Sequence, residues 1–119
     1  NRFISYFSDI RRDCRRETKV SWDSLKKFRA GDVALEDPKL KCYLKCFMMK
    51  SGIMKKNTEV DVQRALRHIP RSLQDTSEKL LNRCKYVCKS AEDPCEKAFE
   101  IVKCSVQICP DVSAFYLQR

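Results

Sequence analysis

The chain has 119 residues and eight cysteines, and its 25 Lys and Arg against 16 Asp and Glu give a formal charge of +9 at pH 7. A chain of this length forms one domain with a moderate core, and its cysteine content favours a secreted, disulfide-stabilised protein over a cytosolic enzyme. No apolar run approaches the roughly 18 residues of a membrane span, and the basic surface favours anionic partners.

The first helix is predicted from apolar residues that recur at three- and four-residue spacing. These residues are Phe3, Ile4, Phe7, Ile10 and Cys14. A basic cluster surrounds the end of this helix, and we interpret it as a solvated helix end. The cluster consists of Arg11, Arg12, Arg15, Arg16 and Lys19. Because residues 1–10 lack the apolar run of a signal peptide, we expect the mature form of an exported protein.

A short second helix is predicted after Ser21, whose side chain is a favourable N-cap. It carries Trp22, Leu25 and Phe28. Gly31 is expected to end it, since glycine readily adopts the left-handed conformation common at helix C-termini.

The third helix organises the chain. It is predicted to begin at Asp37 and Pro38, a capping carboxylate followed by a proline at the first helical position, and to run to Gly52. It carries Cys42 and Cys46, whose side chains emerge on one face about one turn apart. Two such cysteines are poorly placed to bond to each other, so each is expected to cross-link the helix to a different part of the chain.

The fourth and fifth helices are predicted from capping signals. The motif from Thr58 to Asp61 resembles a capping box for a helix that Pro70 ends. Asp75 is the predicted cap of the fifth helix, which extends through Cys88.

Asp93 and Pro94 repeat the start signal of the third helix and predict a sixth helix that Pro110 ends. The tail, residues 110–119, is rich in large apolar side chains, so we expect it to pack against the body of a single domain spanning residues 1–119. The fold class predicted for the chain is therefore all-α.

Six of the cysteines are separated by gaps of 27, 3, 37, 10 and 8 residues. They are Cys14, Cys42, Cys46, Cys84, Cys95 and Cys104. This spacing resembles the six-cysteine signature of insect odorant-binding and pheromone-binding proteins, in which the gaps of three and eight residues are diagnostic. The resemblance implies a six-helix, disulfide-knitted fold enclosing an apolar cavity. It also implies the pairing Cys14–Cys46, Cys42–Cys95 and Cys84–Cys104.

Two cysteines, Cys88 and Cys109, depart from that signature. A fourth bridge between them is the simplest hypothesis, because exposed free thiols are hazardous in an oxidising compartment. The alternative pairs Cys84 with Cys109 and Cys88 with Cys104, which suits two antiparallel helices better. We favour the bridge from Cys88 to Cys109 because the family spacing already assigns Cys84.

The sequence predicts neither a metal site nor a catalytic one, and no cofactor. Structural zinc usually requires shorter cysteine spacings and often histidine, whereas His68 is the only histidine. We interpret His68 as an ordinary residue near a helix end rather than as a pH switch. A nucleophile without a histidine base is not a site, so no enzymatic activity is expected. No nucleic-acid partner is expected, because the single Trp and the scattered tyrosines form no stacking platform.

The resemblance implies that the third helix and the residues just after it line the ligand chamber. Met48 and Ile53 stand where some alcohol-binding relatives carry a small hydroxyl residue, which argues against short alcohols. Methionine suits a pocket that accepts long or varied apolar chains. The predicted ligand-binding residues, for each of which plain core packing is the alternative, are Phe47, Met48, Ile53, Met54, Leu66, Ile69, Leu73, Leu80, Phe99, Val102, Phe115 and Tyr116.

The function expected from the resemblance is that of a secreted carrier of small hydrophobic ligands, such as odorants, pheromones or fatty-acid-like molecules, in sensillar lymph or another body fluid. It would act as a monomer or weak homodimer, with an olfactory receptor or a membrane surface as a further partner. The alternative is a basic salivary or haemolymph scavenger of the same fold whose surface binds polyanions or anionic lipids. The salt dependence of binding distinguishes these two functions, because binding of polyanions weakens steeply as ionic strength rises.

Overall fold

The computed structural model describes residues 2–67, 71–87, 93–110 and 117, with side chains described from residue 7 onward. Six helices follow one another along these ranges, which confirms the all-α prediction. They are α1 (Arg2–Thr18), α2 (Trp22–Arg29), α3 (Pro38–Lys50), α4 (Val62–Leu66), α5 (Arg71–Cys84) and α6 (Pro94–Ile108).

The start of α2 and the end of α2 have the predicted local causes. The Ser21 hydroxyl accepts a hydrogen bond from the backbone N–H of Ser24 at 3.1 Å, which satisfies one of the free donors of the first turn. Gly31 follows the helix with a φ of +107°, a conformation that costs glycine little.

The start of α3 is also as predicted. The Asp37 carboxylate accepts a hydrogen bond from the backbone N–H of Lys39 at 3.0 Å, and Pro38 is the first helical residue. A second hydrogen bond to this carboxylate, from the Ser24 hydroxyl, joins the starts of α2 and α3. Burial opposes ionisation of Asp37, but these hydrogen bonds outweigh it and lower its pKa.

The predicted cap of α4 is wrong. Asp61, rather than Thr58, is the N-cap, since its carboxylate accepts a hydrogen bond from the backbone N–H of Arg64 at 3.0 Å. Thr58 instead lies in a turn with a φ of +69°, and its hydroxyl donates to the carbonyl of Asn57 at 2.6 Å. The acidic residue of the motif thus begins the helix, and Pro70, its predicted end, lies outside the described residues.

Both predicted ends of α5 are wrong. The helix begins at Arg71, so Asp75 lies inside it rather than at its cap. It ends at Cys84 rather than extending to Cys88, and a turn follows in which the backbone N–H of Val87 donates to the carbonyl of Cys84. Cys84 is buried whereas Tyr86 is 62% exposed, so the apolar face of the helix stops with the cysteine.

The core forms around α3, which packs against α1 on one side and α6 on the other. Phe47 of α3 stacks on Phe7 of α1 with ring centroids 6.0 Å apart. The rings of Phe28 in α2 and Phe99 in α6 also contact each other, with centroids 5.6 Å apart. The central position predicted for the third helix is therefore confirmed.

Three disulfides fix this arrangement, with the pairing that the resemblance implied. Cys14–Cys46 joins α1 to α3, Cys42–Cys95 joins α3 to α6, and Cys84–Cys104 joins α5 to α6. The two cysteines of α3 thus cross-link it to both of its neighbours.

Candidate ligand-binding site

Most of the predicted ligand-binding residues lie in the interior. Eight are buried, each with at most 9% of its surface exposed: Phe47, Met48, Ile53, Met54, Leu66, Leu80, Phe99 and Val102. Leu73 instead lies on the surface of α5 with 55% exposed, so it is no part of this interior. Ile69, Phe115 and Tyr116 lie outside the described residues.

A sharp reversal after α3 brings Met48 and Met54 together. Gly52 adopts a φ of +80°, and the backbone N–H of Met54 then donates to the carbonyl of Met48 at 2.9 Å. An antiparallel bridge between Met54 and Val60 closes the following turn. The φ value favours glycine here, and a side chain at this position would also displace the end of the Arg64 side chain. Two flexible thioether side chains therefore lie at the same end of α3.

The opposite end of α3 carries a charged group over an aromatic ring. The Lys41 ammonium lies 4.9 Å from the ring centroid of Phe99 and forms ion pairs with Glu36 at 2.7 Å and Glu96 at 2.6 Å. Its side chain is only 12% exposed, and the hydrogen bonds that it donates to both carboxylates raise its pKa. The same contact lowers the pKa of Glu36.

Sequence reasoning missed this ion-pair group, although a signal for it existed. Lys41 precedes Cys42 and Glu96 follows Cys95, so opposite charges flank two cysteines whose pairing the resemblance already implied. The disulfide brings the two starts of α3 and α6 together, and the charges meet beside it.

A buried polar group lies between α1 and α3. Tyr43 is fully buried, and burial raises the pKa of its hydroxyl to about 12 against the opposing effects of Arg15 and Arg11. Arg11 is only 5% exposed, and burial lowers its pKa. The interpretation of the basic cluster as a solvated helix end is thus wrong for Arg11. It lies four residues after Phe7, on the helix face that packs against α3.

A further pocket lies between α2 and the end of the chain, and the sequence did not predict it. Its volume is about 150 Å³, and it is lined by Trp22, Leu25, Lys26, Arg29 and Leu117. The four α2 residues occur at the spacing of a single helix face, which is the signal that could have indicated a shared surface. Leu117 is 3% exposed, so at this position the tail contacts the body of the protein.

The two additional cysteines are only partly described. Cys109 follows the last residue of α6 in an extended conformation and forms no disulfide with a described residue. The alternative pairing of Cys84 with Cys109 is wrong, because Cys84 is bonded to Cys104. Cys88 lies outside the described residues, so its bridge to Cys109 stays a prediction.

Neither a metal centre nor a membrane span is found in the part of the chain that the structure describes. Within it, His, Cys, Asp and Glu side chains do not gather in threes at a site that could hold a metal ion. No described helix has the length and apolar character needed to cross a bilayer.

These features define a class of small all-α proteins in which interleaved disulfides hold an apolar interior. The chain belongs to the PBP/GOBP family, which it matches over residues 2–107. This result confirms the resemblance seen in the cysteine spacing, and membership of a family of odorant-binding carriers supports a small-ligand carrier rather than an enzyme.

Two relatives and one solved structure illustrate the match. The B1 protein of Tenebrio molitor is 32% identical over 101 residues, which cover 83% of this chain and 75% of that protein. General odorant-binding protein 69a of Drosophila melanogaster is 25% identical over 105 residues, which cover 88% of this chain and 70% of that protein. Odorant binding protein 7 of Anopheles gambiae, solved with four disulfide bridges and an azo compound, superposes with a TM-score of 0.83 at 26% identity. The match covers 97% of this chain and 92% of that one.

Proposed function

We propose that the protein is a secreted carrier that holds small hydrophobic ligands in its apolar interior, beside the C-terminal half of α3 and the turn after it. The observation that carries this proposal is the burial of Met48 and Met54 at one end of a helix that two disulfides hold in place. The eight buried candidate residues are all uncharged and apolar, so they offer an alkyl or aryl ligand contact without a desolvation cost for charge.

Transfer energetics set the expected ligand size. Each buried methylene contributes roughly 0.8 kcal/mol, so a chain of about ten carbons gains about 8 kcal/mol before the cost of immobilisation. A micromolar affinity corresponds to about 8 kcal/mol, so this gain sets an upper limit near micromolar for such a chain, and the cost of immobilisation weakens binding from there. The azo compound bound to the Anopheles gambiae relative is consistent with an interior of this kind.

We also propose that long or varied apolar ligands bind better than short alcohols, because Met48 and Ile53 supply no hydroxyl group. The experiment is displacement of a fluorescent apolar probe by a homologous series of alcohols and fatty acids. Affinity should rise with chain length until the interior is filled. Met48→Ser should weaken binding of the longest ligands several-fold, whereas Leu73→Ser, at an exposed position, should leave it unchanged.

A response that does not depend on chain length would contradict the proposal. The same titrations at low and high salt separate it from surface binding of polyanions or anionic lipids, which should weaken steeply with salt. The structure gives that alternative less support than the sequence did. Arg11 is buried, Arg12 pairs with Asp9 at 3.2 Å, and Lys50 pairs with Glu17 at 2.7 Å, so part of the basic surface is already neutralised.

We further propose that Cys88 and Cys109 form a fourth disulfide. Cys109 lies beyond the last turn of α6 in an extended conformation, so that helix does not hold it away from the chain that follows α5. The four bridges of the Anopheles gambiae relative support a fourth one here. Burial of Leu117 likewise supports a tail that packs against a single domain.

A further inference from the structure

The pocket between α2 and Leu117 combines apolar walls with cationic ones. Leu25 and Leu117 are buried, and the partly exposed Trp22 ring completes the apolar part of the lining. Lys26 and Arg29, one turn apart on α2, supply the rest. A site with an apolar wall and two lining residues of one charge is suited to an amphiphile of the opposite charge.

The cations at this pocket have no carboxylate partner among the described residues. Neither Lys26 nor Arg29 forms an ion pair with a described carboxylate, whereas the adjacent Lys27 pairs with Asp23 at 3.0 Å on another face of the helix. Within the described part of the chain, the two pocket cations are thus unpaired, whereas the charge of Lys27 beside them has a partner.

A third cation lies against the same ring. The Arg15 guanidinium carbon lies 4.7 Å from the centroid of Trp22, in the geometry of a cation–π contact. One nitrogen of this guanidinium, Nη1, is buried and has no hydrogen-bond acceptor among the described residues. Arg15 therefore places a further positive charge against the Trp22 ring that lines the pocket.

We propose that this pocket is a second binding site, separate from the apolar interior, that takes a small carboxylate with a compact apolar body. The carboxylate is held by Lys26 and Arg29, and the body packs against Trp22, Leu25 and Leu117. The pocket volume of about 150 Å³ has room for an apolar body the size of a benzene ring. Arylacetates and short branched acids have a body of this size.

The chain offers a direct reporter, because Trp22 is its only tryptophan. The experiment titrates the full-length protein with phenylacetate and, separately, with 2-phenylethanol, a neutral molecule of similar shape, while tryptophan fluorescence is recorded. At low ionic strength phenylacetate should bind at least five-fold more tightly than 2-phenylethanol. Added salt should reduce the difference, because the cations are exposed to solvent.

Two double variants with equal loss of charge test the assignment. Lys26→Gln with Arg29→Gln should abolish the preference for phenylacetate and leave the binding of 2-phenylethanol within two-fold. Lys55→Gln with Lys56→Gln, in the loop between α3 and α4, removes the same charge elsewhere and should keep the preference. All four side chains are exposed, so both proteins should fold.

A third measurement separates this site from the interior. N-phenyl-1-naphthylamine bound in the interior should stay bound as phenylacetate saturates the Trp22 signal. The proposal is overturned if phenylacetate displaces that probe competitively, if 2-phenylethanol binds equally well, or if the two double variants behave alike. Failure of the probe to bind at all would count against the proposed carrier function and would leave the Trp22 titration to decide this site by itself.

Discussion

Tyr43 is the residue at which burial and charge oppose each other most clearly. Its hydroxyl lies in the interior between α1 and α3, where ionisation would place a negative charge beside Arg11 and Arg15. The two cations favour the phenolate, yet desolvation outweighs them and the group stays protonated. This part of the core therefore depends on a neutral phenol beside Arg11 and Arg15.

This arrangement predicts an alkaline loss of stability that Tyr43→Phe removes. The folded protein retains the phenolic proton up to about pH 12, whereas the unfolded chain loses it near pH 10, so the free energy of unfolding falls as pH rises between these values. A difference of about two pKa units corresponds to roughly 2 to 3 kcal/mol. Urea unfolding from pH 9 upward measures it.

Tyr86→Phe is the matched control for that experiment, because Tyr86 is exposed. It should keep the alkaline decline of the unmodified protein, and deprotonation of lysines should affect all three proteins alike. An equal decline in Tyr43→Phe would show that burial of this phenol has no part in it.

At the scale of helices, the junction of α3 and α6 is held by both a disulfide and a charge. Lys41 lies at the start of α3, pairs with Glu96 at the start of α6, and covers the ring of Phe99. Because the ammonium is mostly withdrawn from solvent, this ion pair should contribute more than an ordinary surface pair.

Lys41→Met should therefore destabilise the protein by about 1 kcal/mol at neutral pH, since methionine can retain the contact with Phe99 but not the ion pair with Glu96. The pKa of Glu36 is lowered in the folded state, so its contribution is present above the ordinary pKa of glutamate and is lost as pH falls through the lowered value. The difference in free energy of unfolding between the unmodified protein and Lys41→Met should thus become smaller in acid.

Chemical unfolding at pH 7 and pH 3 measures the effect. Lys27→Met is the control, because it breaks an exposed pair with Asp23 within α2 and should change stability by only a few tenths of a kcal/mol. Equal losses of stability in the two variants would mean that the position of Lys41 between two helices adds nothing to the strength of its ion pair.

At the scale of helices, the sequence predicts some features correctly and others not. Helix starts with a local cause were found correctly, because Ser21 and Asp37 cap their helices through neighbouring backbone N–H groups. Asp75 was misassigned because an acidic residue inside α5 has the same sequence pattern as a cap, and only packing decides between them. The Trp22 pocket and the Lys41 ion pairs left only partial signals in the sequence, because each also depends on the relative position of elements distant in sequence.

For the whole molecule, the open question of connectivity concerns Cys88 and Cys109. Formation of the fourth bridge predicts no free thiol in the native protein. It also predicts a non-reducing digest with two distinct linked pairs, Cys84 with Cys104 and Cys88 with Cys109. Cleavage after Lys85 by trypsin separates Cys84 from Cys88. Trypsin cannot separate Cys104 from Cys109, because no Lys or Arg lies between them, so thermolysin must cleave before Val106 or Ile108.

The joint variant Cys88→Ser with Cys109→Ser is the control for this digest. It should lose one linked peptide and retain the other three, since the bridge between Cys84 and Cys104 does not depend on it. Two reactive thiols in the unmodified native protein would overturn the fourth bridge.

The three established disulfides overlap along the chain. Each begins before the previous one has closed: the loops run from residue 14 to 46, from 42 to 95 and from 84 to 104. A single cut of the backbone anywhere between Cys14 and Cys104 is therefore always spanned by at least one sulfur–sulfur bond. A protease that cuts the backbone once in that interval releases no fragment. The cut would become visible only on a reducing gel, where the disulfides are broken.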